Sequence, residues 1–175
     1  MAAKKITPMS QVTDTVLMVR PASFRKNEET AVNNYFQEDL ALENEAINAQ
    51  AQQEFDAFVE KLRAVGVNVI VENDDVTLDT PDSIFPNNWV SFHENGDVAL
   101  YPMFAENRRR ERREEVINRL EKEGFTINNI VDYTSAEDEG VFLEGTGSLL
   151  LDRVNRKAYC ALSPRADESL FIEFC

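Results

Sequence analysis

Histidine occurs once in this chain, as His93, and cysteine twice, as Cys160 and Cys175. The two thiols have no partner cysteines at metal-like spacing. Two cysteines in an acidic chain read as reduced thiols in a cytoplasm, with no metal implied. No apolar run reaches the roughly 18 residues that a membrane span needs. Met1 to Val12 carries two lysines but no apolar core of a signal peptide. Phosphate-loop and dinucleotide motifs are missing, so no cofactor is implied. The acidic stretch Asn73 to Asp82 lacks the glycine and the closing glutamate of a calcium loop. Positive charge is scarce: 18 Lys and Arg stand against 32 Asp and Glu, a net charge of −14. That excludes the basic footprint that nucleic-acid phosphates require, and it argues equally against an anionic membrane surface.

What is present suffices for one globular domain: 175 residues, 43% hydrophobic and 29% charged. Thr15 to Val19 is a β-branched apolar run ended by Arg20-Pro21, a strand pattern. Ala22 to Asp39 is polar, either a plain connection or a flap over a site. Leu40 to Val65 reads as a helix. Phe55, Phe58, Val59, Leu62 and Val65 lie on one face, and Gly66 closes it. Val67 to Val71 alternates like a strand. Trp89 to Pro102 is a hairpin turning at Asn95-Gly96. A helix is predicted from about Asn107 to Glu123, with the stripe Val116, Ile117 and Leu120 and a stop at Gly124. Phe125 to Tyr133 is a strand and Thr134 to Gly140 an acidic loop. Leu149 to Leu162 is a second hairpin turning near Val154-Asn155, followed by Pro164 and a helix near Asp167. Hairpin, proline, short loop and helix therefore occur twice, and the opening strand, Pro21, helix and strand look like an incomplete copy. By that logic a strand is owed after the apolar segment Leu170 to Cys175. The expectation is a fragment of a longer protein.

The stretch from Pro81 to Trp89 carries the densest chemical signal. Pro81 and Pro86 stiffen it, and Pro86 biases Phe85 towards extended geometry. The pattern predicts a rigid loop that delivers Asp82, Asn87 and Asn88 to the mouth of a sheet. Paired amides both donate and accept, which suits a planar polar ligand, although an ordinary turn feeding a strand uses the same residues. Glu144 sits on a glycine-rich turn where the backbone could approach a ligand closely. Arg108, Arg109, Arg110, Arg112 and Arg113 open a helix, where arginine opposes the macrodipole and an anion partner would help. Most of that run reads as a solvated helix face balanced by Glu111, Glu114 and Glu115. Arg165 follows Pro164 at the place matching Arg108. His93 reads as a solvent-facing hairpin residue and Cys160 as a packed thiol.

PDSIFPNNW, YPMFAENRRRERR, FLEGTGSLLLDR and ALSPR together resemble the guanidino-group-modifying superfamily, which includes arginine deiminases, dimethylarginine hydrolases and amidinotransferases. The resemblance is greatest to bacterial citrulline hydrolases. It implies an α/β pentein, a propeller of five ββαβ units, of which this chain holds about half. The expected division is one incomplete domain over 1–175, with units near 13–72, 82–133 and an unfinished 141–175. It also implies that Asp82 meets the substrate α-amino end, Asn87 and Asn88 the far group, and Arg108 and Arg165 the carboxylate. Glu144 matches an acid of the family's Glu/Asp-Gly-Gly-Asp turn, whose second acid is replaced here by Gly147-Ser148.

The amide pair suits a neutral ureido group, whereas a guanidinium would favour carboxylates. The implied activity is hydrolysis of citrulline to ornithine through a cysteine thiolate intermediate. Its Cys and His are expected beyond Cys175, which leaves this chain without a catalytic residue. Arginine deiminase or amidinotransferase activity is the alternative within the superfamily, and a non-catalytic pentein binding module the alternative outside enzymes. A small amino acid is the implied partner, and an unfinished propeller edge would favour self-association.

Overall fold

The computed structural model describes residues 11–34, 37 and 41–175. Strand β1 (Thr15–Arg20) pairs in parallel with β2 (Asn68–Asn73), from Thr15 opposite Asn68 to Arg20 opposite Asn73. A parallel pair needs a crossover, and helix α2 (Asn44–Ala64) supplies it. The short helix α1 (Glu28–Ala31) precedes it, with Asn27 as its cap. α2 packs Phe55 and Val59 onto Val69, with Val16, Met18, Leu62 and Val71 around them. The predicted stripe is wider than what is buried: Phe58 is 52% and Val65 78% exposed. Among the described residues the sheet beneath has two strands, too narrow to cover the flanks of the stripe. The predicted helix start at Leu40, and residues 35, 36, 38 and 39 of the predicted flap, lie outside the described residues.

Strands β3 (Val90–Phe92) and β4 (Asp97–Leu100) form the hairpin, and β5 (Asn129–Asp132) joins β4 in parallel. Gly96 turns the hairpin at φ 83°, and an added Cβ would lie 2.9 Å from the Thr126 carbonyl oxygen. Glycine therefore serves both conformation and space there. The helix predicted from 107 to 123 is broken into α3 (Glu106–Arg109) and α4 (Glu114–Lys122). The arginine run explains the break. Arg109 Nε donates to the Met103 carbonyl, Arg112 forms a fork with Glu137 at 2.6 and 2.9 Å, and Arg113 donates to the Asn73 carbonyl. With the helix broken there, these side chains reach partners on separate elements. The expectation of a mostly solvated arginine face is thus corrected, and only Arg110 of the five is exposed. α4 buries Val116, Ile117 and Leu120, and Val116 meets Trp89, Val90, Val98 and Met103 in one core. Each large apolar side chain fully buried there contributes roughly 1.5–3 kcal/mol.

A one-turn helix α5 (Gly145–Ser148) leads into the hairpin β6 (Leu149–Asp152) and β7 (Lys157–Cys160). α6 (Glu168–Phe174) follows, capped by Asp167, whose carboxylate accepts from the Ser169 and Leu170 N–H groups. Tyr101, Leu143, Leu149, Ala166 and Leu170 form a core joining this hairpin to the preceding sheet. The predicted acidic loop 134–140 contains a 3₁₀ turn, Thr134–Glu139, ended by Gly140 at φ 70°. No helix among the described residues is long and apolar enough to cross a membrane.

Candidate substrate-binding site

Pro86–Asn88 winds into a 3₁₀ turn, with Pro86 at its first position, and Pro81, Asp82 and Ser83 are buried before it. The loop passes under α3, so Asp82 and Arg108 meet. Arg108 is 3% exposed. Its Nε and Nη2 donate to the two carboxylate oxygens of Glu111 at 2.9 and 3.0 Å. Nη2 also reaches the Phe85 and Asp82 carbonyl oxygens at 3.1 and 3.4 Å, and Nε lies 3.9 Å from Asp82 Oδ2. Nη1 points towards Glu144 Oε2, 4.0 Å away and outside hydrogen-bond reach.

Glu144, 1% exposed, is a second hub. Its Oε1 accepts the Phe104 N–H, while Oε2 accepts from Asn88 Nδ2 at 3.1 Å and Arg165 Nη1 at 3.5 Å. The Glu144 N–H in turn donates to the Arg165 carbonyl. Asp82, Asn88, Arg108, Glu144 and Arg165 therefore belong to one connected polar cluster.

The glycine-rich turn beside Glu144 makes a close approach, but to the Asn87–Asn88 turn. A Cβ on Gly145 would collide with the Asn87 carbonyl oxygen, and one on Gly147 with the Asn88 amide nitrogen. Gly145→Ala should therefore cost about 2 kcal/mol, because backbone stands against backbone. Urea unfolding would measure it, and an unchanged midpoint would refute the packing argument.

A family model described as N,N dimethylarginine dimethylhydrolase, eukaryotic, matches residues 20–175. The chain belongs to this family. It is thereby a member of the guanidino-group-modifying pentein superfamily. No curated protein matches it. A mutant of the N-terminal domain of ArgZ, an arginine dihydrolase from the ornithine–ammonia cycle in cyanobacteria, bound to substrate, is similar with a TM-score of 0.61 at 17% identity. The match covers 91% of this chain and 53% of that one. A dimethylarginine dimethylaminohydrolase mutant, as its adduct with S-methyl-L-thiocitrulline, gives 0.60 at 17%, over 91% of this chain and 54% of that one. A mutant of AgrE with L-arginine gives 0.61 at 18%, over 91% and 21%. The present chain thus spans about half of the two shorter structures and, at 21%, about a fifth of full-length ArgZ. The likeness establishes the α/β pentein fold.

Within this dimethylarginine dimethylhydrolase-family chain, Asn87 stands apart from the cluster. Its carbonyl accepts from Thr146 Oγ1, and the residue is exposed and borders a separate hollow of about 1120 Å³ that also includes His93 and Arg153. A 3₁₀ turn points successive side chains in different directions, so adjacent amides cannot both face Glu144.

His93 is half-buried rather than solvent-facing. Nε2 meets Ser91 Oγ at 2.9 Å, and Arg153 Nη1 lies 3.1 Å from Nδ1. The guanidinium can only donate, so Nδ1 accepts, Nε2 carries the proton and the ring is neutral. Burial, then the Arg153 charge, lowers its pKa. Cys160 is half-buried and packed against the third core; burial raises its thiol pKa. Cys175 is exposed. Among the described residues no three His, Cys, Asp or Glu side chains cluster as metal ligands.

Sequence reasoning missed a second tier. Asn27, fully buried, donates to Asp82 Oδ2 at 2.7 Å, and Asn27 and Asn107 exchange amide hydrogen bonds at 2.7 and 3.2 Å. Arg165 Nε donates to Asn33 Oδ1 at 3.0 Å, and its Nη2 to the Thr30 carbonyl at 3.2 Å. The segment around α1 therefore straps Asp82 to Arg165. The polar stretch Ala22 to Asp39 gave no sign of this, because the reach of Asn27 to Asp82 spans 55 residues.

Three carboxylates (Asp82, Glu111, Glu144) face two guanidinium groups (Arg108, Arg165), an excess of one negative charge. Glu111 feels it. Burial pushes its carboxyl up to about 7, Arg108 pulls it down, and Asp82 and Asp74 add to the rise. Between the ordinary carboxyl pKa and about 7 the native protein holds a proton that the unfolded chain has lost. Stability contributed there is present at low pH and lost as pH rises through that window. His93 acts oppositely, because its lowered pKa makes stability fall as pH falls. Thermal melting of wild type and Glu111→Gln across pH 5–8 should therefore give a stability difference that shrinks as pH rises. A pH-independent difference would contradict the burial of a titrating Glu111.

Proposed function

We propose that this chain supplies the substrate-gripping side of a hydrolase acting on the ureido or guanidino group of a small amino acid. Citrulline, converted to ornithine, is the preferred substrate in this reading. Asp82 receives the α-amino group, Arg108 and Arg165 the carboxylate, and Asn88 the far end, with Glu144 holding Asn88 and Arg165 in place. Asn87 would join them only after its side chain turned from the separate hollow. The observation that carries the reading is that one buried carboxylate, Glu144, gathers an amide (Asn88) and a guanidinium (Arg165), with Arg108 Nη1 4.0 Å away. A scaffold has no need to place these side by side, since each costs desolvation.

The Asn88 amide donates to Glu144 at 3.1 Å, which leaves its carbonyl oxygen to accept an N–H from the ligand. A ureido group offers such N–H groups without bringing charge, and a neutral group is the cheaper one to seat in a buried site. An arginine-directed activity is the second reading, favoured by the buried Glu144 carboxylate and by neighbours described with arginine. The chemistry is attack of a cysteine thiolate on the central carbon, then hydrolysis of the covalent intermediate by water. Both ring nitrogens of His93 are engaged with Ser91 and Arg153, so no thiol of this chain finds its acid–base partner there. The chain by itself should bind without turnover. Calorimetric titration with citrulline and with arginine, beside an assay for ornithine, tests this. Citrulline should bind more tightly; tighter arginine binding favours the second reading, and binding of neither favours a non-catalytic module.

A further inference from the structure

Arg108 owes its orientation to a residue that the substrate reading leaves out. Glu111 is 3% exposed and lies in the turn between α3 and α4. Its N–H donates to the Arg108 carbonyl at 3.1 Å, so the backbone turn and the side-chain pair are built together. The two carboxylate oxygens take Nε and Nη2 at 2.9 and 3.0 Å. A fork of this kind fixes the plane of a guanidinium, whereas the Asp82 and Phe85 carbonyls touch only Nη2 and leave the plane free to pivot. With Nε and Nη2 tied back, the remaining nitrogen, Nη1, is directed to the Glu144 side, where Arg165 Nη1 and Asn88 Nδ2 also arrive.

We infer that Glu111 is a positioning residue that holds the Arg108 guanidinium in the one orientation presenting Nη1 to a substrate carboxylate. This rests on the proposed function for the identity of the ligand, though not for the orientation itself. Glu111 touches no ligand in this scheme. It acts through Arg108, at the cost of a third buried carboxylate in a cluster with two arginines. A pair kept only for stability could be apolar at both positions, because replacing a whole buried ion pair by hydrophobic packing is often neutral or better.

The test has two arms on the full chain. In the first, ¹⁵N NMR of the arginine Nε–H groups follows hydrogen exchange at Arg108 and Arg165 in wild type, Glu111→Gln and Glu111→Ala. Arg108 Nε–H should be protected in wild type, at least tenfold less so in Glu111→Gln, and lost in Glu111→Ala, with Arg165 unchanged. Equal protection of Arg108 in all three proteins would overturn the inference. If Glu111→Ala fails to fold, Glu111→Gln decides alone, because it keeps one acceptor and the side-chain volume. In the second arm, citrulline and its α-carboxamide are titrated against wild type and Glu111→Gln. The carboxylate ligand should lose about tenfold in affinity and the carboxamide little, as expected for one charge-assisted hydrogen bond misaligned. Equal losses for both ligands, or tighter binding of the carboxylate, would show Glu111 to be structural or a charge sink instead. If wild type binds neither ligand, the proposed function fails, and the exchange measurement still decides whether Glu111 orients Arg108.

Discussion

Arg108→Ala is expected to destabilise the chain by about 3–5 kcal/mol, because it leaves Glu111 buried and unpaired, with Asp82 and Glu144 close by. Against total stabilities of about 5–15 kcal/mol, that is at least about a fifth of the folding free energy. The structure changes the meaning of this substitution. On a substrate role alone, alanine would weaken binding and spare the fold. With Nε and Nη2 spent on Glu111 and two carbonyls, the same side chain is also an internal strut between the 81–89 loop and α3. Arg108→Lys should fall between the two, because an ammonium keeps the charge but cannot span both Glu111 oxygens and the Phe85 carbonyl. Urea denaturation of the three proteins measures it. A stable, fully folded Arg108→Ala would refute the strut.

Asn88→Asp should reverse ligand preference in the proposed site. It places a carboxylate where the Asn88 amide now donates to Glu144 Oε2 at 3.1 Å. Two carboxylates so close cannot both ionise, and the pair takes up a proton at a pH well above the ordinary carboxyl range. A folded-state pKa raised in this way gives stability at low pH that is lost as pH rises, so the variant should melt progressively lower from pH 5 to pH 8. A cationic guanidinium would relieve the repulsion and a neutral ureido group would not. The affinity ratio of arginine to citrulline should therefore rise by at least about tenfold, the equivalent of one modest ionic contact. Calorimetric titration at pH 7.5 gives the ratio directly. An unchanged ratio would mean that Asn88 does not meet the far end of the substrate.

How far the chain could be read in advance is clear from particular elements. The Asn95-Gly96 hairpin was legible because a turn needing positive φ leaves a two-residue signature. The α4 stripe was legible because Val116, Ile117 and Leu120 fall on one helical face. The break between α3 and α4 was not, because its cause is distant: Glu137 for Arg112 and Asn73 for Arg113. His93 looked exposed because hairpin ends usually are; Arg153, from another hairpin, half-buries it.

The long helix α2, the two hairpins, the stiff loop around Asp82 and the acidic charge balance follow from local spacing, proline and glycine geometry and composition, all properties of neighbouring residues. Which of the candidate side chains meet was decided by tertiary structure. Asn88 donates to Glu144 while Asn87, its neighbour, is exposed and borders a different hollow. Arg108 is clasped by Glu111, and Asn27 and Asn33 tie Asp82 and Arg165 together. These contacts join residues far apart in the chain or fix which way a buried charge points, and no pattern of adjacent residues encodes that. Only the packing of separate elements around a common desolvated space makes one pairing cheaper than its rivals.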